Sequence, residues 1–135
     1  MLFIAEDTTG QKFGGYVDAK VDHYATLNHG LELNKLMCIS DPKSFLFNLK
    51  SNGRLQGMMK FNISDPSRAI RVFTQSDKEG DMFELGWGDF RVFKKHKTSS
   101  CYCANGGCYN YQGVSYGMCG QHHFTVKRVI AIQLK

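Results

Sequence analysis

Four cysteines and two histidines crowd the C-terminal stretch of the chain: Cys101, Cys103, Cys108, Cys119, His122 and His123. Thiolate and imidazole are the ligands of structural zinc, so this density raises a metal question first. The spacing argues against it. Zinc knuckles use Cys-x2-Cys because two intervening residues let both sulfurs face one ion. Cys101-x-Cys103 instead sets both thiols on one face of a strand, with Tyr102 opposite. The same four thiols as oxidation-sensitive groups would need exposure and a lowered pKa. A Cys-His nucleophile, Cys119 with His122 or His123, lacks recognisable surroundings and an orienting group. Without a metal, these cysteines read as small apolar residues on a half-buried strand and its loop. No catalytic residue, metal or cofactor is expected.

A second chemistry-bearing stretch is Leu85-Gly86-Trp87-Gly88-Asp89-Phe90-Arg91-Val92. Gly86 and Gly88 bracket the only tryptophan and permit backbone angles that a Cβ forbids, so the chain can turn sharply around Trp87. Asp89 follows the turn, where a carboxylate accepts backbone N–H bonds. The other carboxylates also fall mostly at turns, which leaves no acid-base pair in view. Gly86-x-Gly88 is not a phosphate loop, because a third glycine and a following helix are missing.

Lys94-Lys95-His96-Lys97 is the one basic cluster. With Tyr102, Tyr109, Tyr111 and Tyr116 downstream it has the composition of a polyanion surface, lysines for phosphate and rings for stacking. No signature of a known nucleic-acid module accompanies it, so the run reads as a solvated strand end and a nucleic-acid partner is not expected.

The elements that must position these groups are short strands. The 135 residues suffice for one domain, 1–135, and the 42% hydrophobic content with ten phenylalanines excludes disorder. Two prolines against fourteen glycines point to a chain that turns through glycine. No apolar run is long enough to insert in a membrane. Five cysteines, an odd number, and a start that lacks a basic leader predict an intracellular, cytoplasmic protein with free thiols. The formal charge of +5 speaks to solubility and loose attraction to polyanions.

Strands are expected at 1–5, 13–17, 45–49, 55–63, 69–74, 83–85, 90–93 and 124–134, with a loop and at most a short helix between 18 and 41. Strand alternation places Phe45, Phe47 and Leu49 on an inner face, and Phe90 and Val92 on another. Phe124, Val126, Ile130 and Ile132 share one parity in the closing strand, with Arg128 the discordant member. The fold expected is mainly β: a two-sheet antiparallel β-sandwich with short peripheral helices.

The ordered segments resemble a TLDc domain, the module of the oxidation-resistance proteins. The glycine-aromatic entry strand of that family is similar to Gly10-Gln11-Lys12-Phe13-Gly14-Gly15-Tyr16. Its "FLFSL" strand resembles Asp41 through Leu49, and its "FGxGxD" turn resembles Leu85 through Val92, with Gly86, Trp87, Gly88 and Asp89 at the motif positions. Ser99-Ser100-Cys101 through Tyr109-Asn110-Tyr111 and the closing strand from Phe124 complete the order. The family's tryptophan after the entry strand is replaced by Val21-Asp22-His23-Tyr24, and its acid is missing from Val129-Ile130-Ala131-Ile132. The chain therefore reads as a divergent or N-terminally truncated copy. The resemblance implies a non-enzymatic protein-interaction module tied to oxidative-stress protection, with vacuolar ATPase subunits as partners. The alternatives from the residues are a thiol-based redox protein using the cysteine cluster and a basic nucleic-acid-binding domain using Lys94, Lys95 and Lys97.

Overall fold

The computed structural model describes residues 1–21, 38–73 and 80–135. The expected helical turn around Leu31–Met37 and most of the polar loop from Gln75 lie outside them. Among the described residues, ten strands form two antiparallel five-stranded sheets. In sheet A the order is β10 (Val126–Ile132), β1 (Leu2–Asp7), β2 (Lys12–Tyr16), β3 (Phe45–Lys50), β4 (Met59–Asn62). In sheet B it is β5 (Ile70–Val72), β6 (Asp81–Leu85), β7 (Phe90–Phe93), β8 (Cys101–Tyr102), β9 (His123–Phe124). Helical structure among the described residues is limited to two short 3-10 segments, Pro66–Arg68 and Lys95–Ser100. The chain is the two-sheet sandwich that its alternating strands predict.

The turns follow from local chemistry. Asp7 closes the first hairpin because its carboxylate accepts the Thr9 and Gln11 amides, each at 2.9 Å. Asn52 and Gly53, both at positive φ, turn the chain after β3. Between the sheets the core is largely aromatic. Phe3 of sheet A stacks on Phe83 of sheet B at 4.5 Å between ring centres. Phe13 meets Phe124 edge-on at 4.9 Å and Phe90 at 5.8 Å. Gly15 faces the same interior, where a Cβ would run into Leu85 and Leu46. Its bareness sets how closely the sheets approach.

Two faces are the reverse of the expectation. Leu46 and Asn48 point into the core, and Phe45, Phe47 and Leu49 cover the outside of sheet A. Alternation decides which residues share a face, but with apolar residues on both it does not decide which face is inside. Asn48 tolerates burial because its Nδ2 donates to the Met118 carbonyl, a partner 70 residues away.

The closing strand is also two strands. Phe124 ends sheet B, the chain crosses over at Thr125, and β10 then joins sheet A against β1. A bulge sets Glu6 opposite Arg128 but Asp7 opposite Val126, so Lys127 is the extra residue. That slip breaks the common parity. Phe124 is buried, Val126 is half-buried, and Ile130 and Ile132 lie outside beside Arg128.

Candidate protein-interaction face

The glycine turn is locked from below by Asp89. Gly86 and Gly88 adopt φ of +69° and +82°, where a side chain would strain the backbone. Asp89 is fully buried. Its Oδ2 accepts the Trp87 and Cys108 amides at 3.3 and 3.4 Å, and its Oδ1 accepts the Gly106 amide at 3.1 Å and the Tyr111 hydroxyl at 3.0 Å. Burial pushes the Asp89 carboxyl above its ordinary value, and the four donors oppose that without reversing it. Asp89 therefore ties the β6–β7 turn to the 104–111 loop rather than presenting a charge to solvent. Trp87 does reach the surface, 52% exposed, with the Arg68 and Arg71 guanidinium groups 4.6 and 5.0 Å from its ring.

Outside sheet B, side chains form a polar row across the strands: Arg71, Glu84, Arg91, Tyr102, His123. Arg71 holds the buried Glu84 through Nε and Nη2. Arg91 clasps the buried Asp81 with two bonds of 2.6 Å and donates to the Tyr102 hydroxyl at 2.9 Å. Burial acts to lower the Arg91 pKa, but those Asp81 and Tyr102 bonds outweigh it and hold the guanidinium more firmly protonated than usual. This face is charge-compensated.

The lysine run does not stand out as a patch. Lys95 and His96 are exposed, whereas Lys94 and Lys97 are half-buried within the 3-10 turns. Two of the tyrosines counted as stacking rings, Tyr109 and Tyr111, are buried; burial raises both hydroxyl pKa values far above normal.

The cysteines separate. Among the described residues no group of three or more His, Cys, Asp or Glu side chains could hold a metal ion. Cys101 and Cys108 are buried, which raises their thiol pKa values. Cys103 is buried, which holds its thiol well above the ordinary pKa, and the Cys119 Sγ donates to the Gln121 carbonyl at 3.0 Å. His122 stacks on Tyr102 at 5.5 Å, and its Nδ1 lies 3.0 Å from that of His123.

The surface with most to offer a partner is the outside of sheet A. Cross-strand registers align Ile132, Leu2, Tyr16 and Phe45 in one row, and Ile130, Ile4, Gly14 and Phe47 in the next. Leu49, Ile130 and Ile132 are 40%, 38% and 40% exposed. A shallow groove of about 360 Å³ runs among Leu2, Ile4, Phe45, Phe47, Leu49 and Met58. Gly14 sits at the centre of the face, and a Cβ there would overlap the Phe3 carbonyl and come within 2.9 Å of the Phe47 ring. Lys12, Lys50, Lys60 and Arg128 rim the apolar area. Two acids at its edges are already paired: Glu6 is bonded to Arg128 at 2.6 Å and Lys127 at 3.2 Å, and Asp18 accepts from the Tyr16 hydroxyl at 2.7 Å and from Lys43 at 2.8 Å. The Glu6 bonds, Arg128 first, hold its carboxyl below its ordinary pKa.

Sequence reasoning placed most of these apolar residues in the core. Two signals pointed the other way. Asn48 is polar in mid-strand, and Arg128 shares its face with Ile130 and Ile132. The chain matches no protein-family model, no curated protein and no solved structure. Among the described residues no helix is long and apolar enough to cross a membrane.

Proposed function

We propose that this chain is a non-enzymatic protein-interaction module, TLDc-like in kind, whose partner docks on the outer face of sheet A. The observation that carries this reading is the apolar surface built by Leu2, Ile4, Phe45, Leu49, Ile130 and Ile132, rimmed by cations. A contiguous apolar patch of this kind on a rigid sheet marks an interaction site. Five strands at about 4.8 Å spacing make a platform ~19 Å across, enough for one or two helices of ~10 Å diameter.

The charges choose among occupants. A second copy of this chain would bring one lysine-rich rim against another, which repels. An amphipathic helix with acidic residues beside its apolar stripe fits both the face and the rim. The link to oxidative-stress protection, and vacuolar ATPase subunits as the first natural partners to test, rest on the family resemblance alone. The non-enzymatic reading is supported by the internal commitments of the chemical groups: Asp89 binds four donors, and Glu84 and Asp81 bind arginines.

Titration with two synthetic amphipathic helical peptides, one Leu/Glu and one Leu/Lys, tests the proposal. The acidic peptide should bind and perturb amide resonances of Leu49, Ile130 and Ile132, and the basic one should not. Equal binding of both, or binding of neither, overturns it.

A further inference from the structure

His122 and His123 are neighbours in sequence, and alternation along a strand would send their rings to opposite faces. They meet because only His123 belongs to β9. His122 lies in the bend before it, its carbonyl held by the Cys103 amide at 2.8 Å. The Tyr102 ring is their common support. His122 stacks on it at 5.5 Å with 8° between the planes, and His123, its register partner, meets it at 65°. Arg91 fixes that ring by donating to its hydroxyl at 2.9 Å. Tyr116 stands edge-on to His122 at 6.4 Å, on a turn closed by the Gly120 amide and the Tyr116 carbonyl. Both imidazoles are exposed, and their Nδ1 atoms are 3.0 Å apart.

We propose that the Nδ1 atoms of His122 and His123 form a two-imidazole chelate for a divalent first-row transition-metal ion.

The separation selects the geometry. With metal–nitrogen bonds of about 2.1 Å, two neighbouring ligands stand ~3.0 Å apart at a right angle and ~3.4 Å apart at the tetrahedral angle. The pair therefore suits a tetragonal ion, copper(II) or nickel(II), better than tetrahedral zinc(II). Stacking on Tyr102 orients the rings in advance, so the second nitrogen follows the first at high effective concentration. Water fills the remaining positions, which the exposure of both rings allows. The Arg91 charge is matched by Asp81 through two bonds of 2.6 Å, so that guanidinium does not oppose the ion.

In the metal-free pair one proton bridges the two nitrogens, because a hydrogen bond needs one donor and one acceptor. The metal needs both lone pairs. The bridging proton moves through water to Nε2 of the ring that carried it, and the rings turn to aim both Nδ1 atoms at the ion. Each ring keeps one proton, so none is released. The chelate clamps the His122 bend to the first residue of β9, the edge strand of sheet B. This inference is independent of the docking face.

Nickel(II) is the probe, because it does not oxidise thiols and is paramagnetic when water completes a six-coordinate shell. The reduced, unmutated protein is titrated with nickel(II) chloride by calorimetry and, in parallel, by amide NMR. One equivalent should bind, and the His122, His123 and Tyr102 amides should broaden first and recover when EDTA is added. His122→Asn and His123→Asn should each weaken binding by at least about tenfold, since each leaves a single imidazole. Broadening centred on other residues, affinity unchanged in both variants, or no binding overturns the proposal. The NMR map of the unmutated protein decides even where a variant fails to fold.

Discussion

The ring of Phe47 lies across the bare backbone of Gly14, its register partner on the next strand, and the two together make the floor of the outer face of sheet A. Aromatic cover of a strand glycine restores the packing that the missing side chain leaves out. It also explains why Phe47 is 8% exposed while its neighbour Leu49 on the same face is 40% exposed. Gly14→Ala should push the new Cβ into the Phe3 carbonyl and lift Phe47. The expected loss is about 1–3 kcal/mol in urea denaturation. A neutral result would mean that β1 and β2 are not in this register.

The orientation of β3 can be read by paired truncation. Leu46→Ala empties a buried site between the sheets and should cost about 2–5 kcal/mol. Leu49→Ala removes a partly exposed side chain and should cost about 1 kcal/mol or less. The reverse ranking would restore the inside-out assignment that alternation alone suggests.

Asp89→Asn tests the turn lock. Both Asp89 oxygens accept two bonds, so an amide nitrogen in place of either one faces donors rather than acceptors. The cost should be about 2–4 kcal/mol, with two donors left unmatched. The pH dependence has a definite sign. Because the folded carboxyl titrates above its unfolded value, its contribution is fully present below the unfolded pKa and is lost as pH rises through the folded pKa. Once protonated, Asp89 can donate to Tyr111, whose hydroxyl then turns to the Ala104 carbonyl at 3.5 Å. The stability advantage of the parent over Asp89→Asn should therefore be larger near pH 4 than at pH 7. A difference that grows toward neutral pH would contradict the raised carboxyl.

Trp87 supplies a silent control. It is the only tryptophan and lies on the turn that joins β6 to β7 of sheet B, whereas Leu49 and Ile130 belong to sheet A. Binding of the acidic helix should leave its fluorescence emission unchanged. A shift that tracks saturation would move the docking site to the arginine-flanked turn.

Much of the fold was legible because its signals are local. Glycine turns, the Asp7 and Ser51–Gly53 reversals, and the strands around Phe90 and Phe124 follow from residues a few positions apart. What stayed hidden depends on long-range contacts. The inward turn of Asn48 needs the Met118 carbonyl, and the outward turn of Ile130 needs a bulge set by pairing with Glu6 and Asp7. The site followed the same pattern. The Gly86–Asp89 stretch was visible as a turn, but the role of Asp89 required the Gly106, Cys108 and Tyr111 donors brought in by a separate loop.

The central claim is that the cationic rim of an apolar sheet face selects an acidic amphipathic helix. Lys50→Glu with Lys60→Glu reverses two exposed rim charges without touching the core. The most direct measurement is calorimetric affinity of the parent and this double variant for the Leu/Glu and Leu/Lys peptides at matched ionic strength, with melting temperatures confirming that both are folded. The account predicts that the parent prefers the acidic peptide and that the variant weakens or reverses that preference by at least about tenfold, or ~1.4 kcal/mol. An unchanged preference in a folded variant would contradict it.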